Sequence, residues 1–151
     1  DLGLLTAVTG IGALAGSVLL ARLGDAPHKG RLILVSGYGW GVAMGLFALS
    51  HNLYLAMGAG AMVAFSHSFF GSLSASVLQM SVPQSIRGRV MSVTMMVHAL
   101  IPIGVLPVSV LAEFAGIDLA LMTSAGVLVI GLWLLNLRFP GVGQIDRGYL
   151  R

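Results

Sequence analysis

The chain has 151 residues, 57% of them hydrophobic and only 9% charged, against about 25% charged in an ordinary globular domain. So few charges cannot cover the surface of a small soluble protein, which all but excludes a cytosolic enzyme, a disordered tail or a disulfide-stapled secreted domain. Cysteine is absent, so disulfides, thiolate metal sites and cysteine nucleophiles are excluded, and the net charge of +3 takes its meaning from where the charges fall.

The runs free of Asp, Glu, Lys and Arg are residues 2–21, 32–86, 90–112 and 119–137. Roughly 20 helical residues cross a hydrocarbon core of about 30 Å, so three of these runs are one span long. The run over 32–86 is long enough for two crossings and breaks naturally at Ser50-His51-Asn52, its most polar short stretch near the middle. The charge gaps therefore predict five transmembrane helices, at residues 2–20, 32–49, 53–80, 90–111 and 119–137. Residues 1–139 form one all-α membrane bundle on this reading, and residues 140–151 a tail.

With five crossings the loops alternate sides. Arg22, Lys29 and Arg31, then Arg87 and Arg89, then Arg138, Arg147 and Arg151 all fall on one side. The positive-inside rule makes that side cytoplasmic, and the C-terminus with it. Asp1, His51, Asn52, Glu113 and Asp118 fall on the other side, which holds no Lys or Arg. The positive charge thus suits topology and anionic headgroups, and no basic run with interleaved aromatics points to nucleic acid.

In the first span Gly12 and Gly16 form a GxxxG pair, and in the second Gly37, Gly41 and Gly45 repeat the spacing. Small residues four apart share a helix face, so these two spans are expected to pack tightly against each other. The third span is the most polar. Ser68, Ser72, Ser76 and Gln79 form one helical stripe, with His67 and Ser74 a face to the side. The fourth span adds Thr94 and His98, four apart. Groups of this kind turn toward protein or water, so His67, Ser68, Ser72, Ser76, Gln79, Thr94 and His98 are candidate lining for a wet substrate pathway. The competing explanation is that the serines bond their own helix backbone and merely permit close packing. Either histidine is open to a proton or substrate role, or to a plain interhelical hydrogen bond. Pro102 and Pro107 remove helix hydrogen bonds from the fourth span and predict a kink.

Gly10-Ile11-Gly12-Ala13-Leu14-Ala15 matches the dinucleotide pattern GxGxxA, but the 55 uncharged residues over 32–86 leave no room for a doubly wound sheet. No GxSxG, HExxH, GxxxxGK[ST] or close carboxylate pair is present, and the acids sit in loops. An enzyme is not expected, nor a cofactor or a metal.

Two cytoplasmic loops carry a family resemblance. Pro83-Gln84-Ser85-Ile86-Arg87-Gly88-Arg89-Val90-Met91-Ser92 resembles the segment before the eleventh helix of major facilitator superfamily transporters. The first loop, with Arg22, Asp25, Lys29 and Arg31, resembles a degenerate form of that family's signature between helices eight and nine. The likeness is nearest to bacterial exporters of the enterobactin and drug-efflux type and covers nearly the whole chain, as helices eight to twelve plus the tail. It departs in two places: Gln84-Ser85 stand where an acid usually follows the proline, and Leu20-Ala21 where one usually precedes the arginine. A charge latch in the first loop is therefore not implied, and Arg87 and Arg89 would anchor at headgroups or meet backbone carbonyls.

The resemblance implies that spans one, three and four border a central cavity while two and five lie outside. It implies a secondary transporter moving a small molecule, by efflux, across a bacterial inner membrane by alternating access. Its N-terminal half would be a missing partner, and the bilayer its surroundings. The start at Asp1, without methionine or basic leader, fits a piece of a longer chain. The alternative is a complete five-span scaffold or subunit that binds a membrane partner through its glycine faces. Methionines such as Met91, Met95 and Met96 suit broad apolar substrates.

Overall fold

A computed structural model describes residues 2–23 and 29–138. Among these residues all regular structure is helical: α1 (Leu2–Leu23), α2 (Lys29–Ala48), α3 (Leu53–Ser81), α4 (Arg87–Ala99), α5 (Ile101–Ala115) and α6 (Ile117–Arg138). Five units are long and apolar enough to cross a membrane, with α4 and α5 together forming the fourth. The protein is thus an all-α, multi-pass membrane protein whose surroundings are a lipid bilayer. Asp25 and the tail at 140–151 lie outside the described residues.

The helices run past the charge-free segments. The fourth unit spans Arg87–Ala115 where charge gaps predict 90–111, and α2 begins at Lys29 rather than residue 32. Backbone hydrogen bonding does not stop where the hydrocarbon does, because long basic side chains lay their methylene stems along the helix and carry the charge outward.

The breaks have local causes. Before α3 the Asn52 side chain accepts the Tyr54 N–H at 3.0 Å, capping the helix after the polar break at Ser50-His51-Asn52. Val82 ends α3 with φ −99° and ψ 122°, the extended geometry that a following proline imposes. Leu100 separates α4 from α5, and Pro102 sits in the first turn of α5. Proline has no N–H for the His98 carbonyl and its ring crowds that oxygen, so the ladder breaks there. The Leu100 carbonyl instead accepts from Ile103 at 3.0 Å and Gly104 at 3.3 Å. Pro107 stays inside α5 without ending it.

Between α5 and α6 the turn is a single residue. Gly116 has φ 90° and ψ 154°, a conformation essentially restricted to glycine. Its N–H reaches back to the Ala112 carbonyl at 3.1 Å and its carbonyl accepts from Ala120 at 3.2 Å, so the joint closes both helix ends.

Packing corrects one expectation. The first two spans are not each other's main partners: α3 lies between α1 and α2, α2 also meets α6, and α6 meets α5. A Cβ on Gly12 would collide with the Ala61 carbonyl of α3, and one on Gly16 would sit 2.5 Å from the Phe65 carbonyl. Gly37 and Gly41 face α6 instead, where a Cβ would meet Leu132 at 2.8 Å and Val129 at 2.5 Å. Gly45 has nothing within 4 Å. Both glycine faces are interfaces, but to different helices. GxxxG spacing says that a backbone comes close and is silent about whose. Among the buried residues of the described chain only Phe69 and Leu73 are large; the rest are Gly, Ala and Ser66, as close backbone approach requires.

Gly41→Leu is therefore expected to loosen α2 from α6 and leave the α1–α3 contact in place. Its neighbours there are side-chain methyls that can turn, so the cost should sit near the low end of about 1–3 kcal/mol for overpacking. Thermal unfolding in detergent checks this, and a loss as large as that of a Gly12 variant would contradict it.

Candidate functional site

Each polar side chain of the third span must find a partner, since lipid offers none. Ser68 finds one across a helix interface, where its Oγ lies 2.8 Å from Ser17 Oγ on α1. Ser17 Oγ also donates to its own Ala13 carbonyl at 3.1 Å, so Ser17 links the α1 backbone to α3. A bond of this kind is worth about 0.6 kcal/mol in a membrane and fixes register more than it adds stability. Ser72 and Gln79 lie on the same side of α3 and are exposed; Ser76 is half-buried, its Oγ 3.8 Å from Met80 Sδ. The stripe thus begins at the α1 interface and continues down an open flank of α3.

His67 points elsewhere. Its ring stacks at a tilt of 53° on Trp40 of α2, with centroids 4.7 Å apart, and Phe70 lies 6.1 Å from the same indole. His67 therefore stands on the α2 side of α3, apart from the serine stripe.

Thr94 and His98 are not brought to the stripe. Both are tied to their own helix: Thr94 Oγ1 donates to the Val90 carbonyl at 3.0 Å, and His98 Nδ1 lies 2.8 Å from the Thr94 carbonyl. No residue of α4 or α5 is buried. The described contacts of α4 run chiefly to α5, together with one clasp to α3.

That clasp comes from the loop motif. Arg87 Nη2 donates to the Gln79 carbonyl at 3.1 Å and more weakly to the Val82 carbonyl at 3.5 Å. These carbonyls stand in the last turn and at the C-cap of α3, where the helix dipole is negative and a cation is favoured. Of the two expected modes for Arg87, it thus adopts the backbone one. Lys29 stands at the same end of α3, its Nζ 3.3 Å from Met80 Sδ. Pro83, Gly88 and Arg89 are exposed in and after this turn, and Arg22 and Arg31 are exposed at the ends of α1 and α2.

Sequence reasoning missed Ser17 and Trp40. Ser17 adjoins Gly16, so a glycine face that admits a neighbouring backbone was also the place to look for its hydrogen-bond partner. Trp40 has no such signal: an indole in an apolar helix reads as bulk.

The described bundle is wholly helical, has five units long and apolar enough to cross a bilayer, and carries hydroxyls, an amide and imidazoles along them, which makes it a polytopic membrane bundle. The chain matches the model of the transmembrane secretion effector family over residues 1–147 and belongs to that family, one of the major facilitator transporters. No curated protein and no solved structure matches it.

Proposed function

We propose that this chain is the C-terminal portion, helices eight to twelve, of a secondary transporter that exports a small molecule across a bacterial cytoplasmic membrane. On this reading α1, α3 and the α4–α5 unit border a central cavity, α2 and α6 lie outside it, and the C-terminus is cytoplasmic. The two halves of such a transporter rock about a site near the bilayer midplane, giving alternating access. The chain supplies one wall, and the N-terminal half of the same transporter the other. The likeness to enterobactin and drug exporters favours efflux.

The observation that carries this reading is the state of the fourth unit. Arg87–Ala115 crosses the membrane with none of its residues buried, and it presents Thr94 and His98. A polar-bearing span with no buried residue is what one half of a cavity looks like without its other half, because intramembrane polar groups face protein or water. The exposed run of Ser72 and Gln79 on α3 gives the same wall a second polar lining.

The test uses the transporter with all its helices. Gln79→Leu and Ser72→Leu should each lower efflux from energised cells while leaving the amount in the membrane unchanged. The described bonds that tie α3 to its neighbours are made by Ser68, Met80 and the backbone carbonyls of Gln79 and Val82, so these side-chain changes leave them in place. Unchanged efflux in both variants would defeat the pathway. Single cysteines placed at Ser85 and Asn52 test the orientation, the first being labelled only from the cytoplasm and the second only from outside. The 151 residues here contribute no native cysteine, and any cysteine elsewhere in the transporter is first replaced by serine.

A further inference from the structure

By sequence the methionines of α4 suit broad apolar substrates, and two of them share a helix face with a histidine. Met91, Met95 and His98 stand at i, i+4 and i+7, which at about 100° per residue places all three within an arc of roughly 60°. Successive members are one turn apart, about 5–6 Å between Cβ atoms. Met95 is 74% exposed, and His98 is exposed as well.

The second observation concerns the imidazole. A carbonyl oxygen can only accept, so the 2.8 Å contact from His98 Nδ1 to the Thr94 carbonyl puts the ring hydrogen on Nδ1. In the neutral ring this leaves the lone pair on Nε2, which has no partner among the described residues. Metal-binding histidines are held in this way: one ring nitrogen donates to a backbone carbonyl, which sets the tautomer and aims the other at the ion. Thr94, whose own hydroxyl is engaged with Val90, supplies that carbonyl.

We propose that Met91, Met95 and His98 form a binding site for a soft monovalent metal ion, Cu(I) or its redox-inert analogue Ag(I). Thioether sulfur and neutral imidazole select such ions, whereas Mg²⁺, Ca²⁺ and Mn²⁺ call for carboxylates and carbonyls. The nearest carboxylate on the fourth unit is Glu113, 15 residues beyond His98 near the far end of α5. The chain has no thiolate to compete for the ion. Met96 lies about 140° round the helix from Met91 and belongs to another face. Met80, on α3, has its sulfur engaged by Lys29. The site rests on α4 alone and does not depend on the transport reading.

Titrating Ag(I) nitrate into the chain in lipid nanodiscs, in chloride-free buffer, reads the site by calorimetry. One Ag(I) per chain is expected. Met95→Leu and His98→Leu should each weaken it by about tenfold or more, while Met96→Leu binds as the parent does. Leucine nearly conserves the volume of methionine, and helix content by circular dichroism shows that each variant is folded. X-ray absorption of the Cu(I)-loaded parent, which needs no variant, should show mixed sulfur and nitrogen neighbours. Absence of Ag(I) binding by the folded parent would overturn the proposal. So would binding that Met95→Leu and His98→Leu leave intact, an equal loss in Met96→Leu, or a metal shell without both sulfur and nitrogen.

Discussion

Replacing Gly12 with leucine is expected to produce the largest loss of stability of any single change in the bundle. A side chain there would drive into the Ala61 carbonyl, and one at Gly16 into the Phe65 carbonyl, so the obstacle at both sites is the backbone of α3. Side chains can rotate away; a helical carbonyl cannot move without its helix. The penalty should therefore reach or exceed the upper part of the usual 1–3 kcal/mol for overpacking. At about 2–4 °C per kcal/mol for a chain of this size, the detergent unfolding midpoint should fall by roughly 6–12 °C. The Ser17–Ser68 hydrogen bond would be lost with the contact, because it needs the two helices at glycine distance. Gly45→Leu, with open space around it, is the matched control and should unfold with the parent. Equal midpoints for the Gly12 and Gly45 variants would show that α1 and α3 do not meet as described.

Gly116→Val is expected to be nearly as damaging by a different physical route. Nothing lies within 4 Å of a Cβ at this position, so the cost is conformational rather than steric crowding by neighbours. With φ 90° and ψ 154°, a β-branched residue must leave the glycine-only region, at a cost of about 1–3 kcal/mol, or carry the strain. Asparagine tolerates positive φ only near the left-handed helical region, where ψ is about 30–60°, so Gly116→Asn should not rescue the turn. A cysteine pair made by Leu111→Cys and Thr123→Cys, on facing walls of the groove of about 460 Å³ between α5 and α6, reports the hairpin. Oxidative cross-linking should be fast with Gly116 and slow in both variants. Rapid cross-linking in Gly116→Val would mean that the joint has slack and the glycine is dispensable.

The five spans are legible in the sequence because hydrocarbon tolerates so few charges that gaps between Arg, Lys, Asp and Glu draw the helices to within four residues at each end. The break at Asn52 and the interruption near Pro102 are legible for equally local reasons: a side-chain cap, and a missing N–H. The helix neighbours are not. Gly12, Gly16, Gly37 and Gly41 announce close approach, yet α3 and α6 are each named only by what stands opposite in three dimensions. The candidate pathway divides along the same line. Period alone puts Ser68, Ser72, Ser76 and Gln79 on one flank, and α3 keeps them there. Whether Ser68 meets water or Ser17, and whether His67 meets a substrate or Trp40, depends on contacts between segments distant in the chain. Arg87 is intermediate. Its charge marks the membrane boundary, but its reach back to the Gln79 carbonyl needs the turn through Pro83 to be folded first.

The placement of α3 between α1 and α2 bears on how the protein is made. Membrane helices emerge from the ribosome in chain order, so α1 and α2 enter the bilayer as consecutive neighbours before α3 exists. Their final positions are on opposite sides of α3. An early pairing of α1 with α2 through their glycine faces must therefore come apart, or never form, for α3 to slot between them. Gly12 and Gly16 on one side, and Gly37 and Gly41 on the other, wait for partners that arrive later, α3 for the first pair and α6 for the second. Assembly is thus completed from the C-terminal end. Release of the chain before α3 begins at Leu53 would leave both smooth faces uncovered in the lipid, open to the wrong helix.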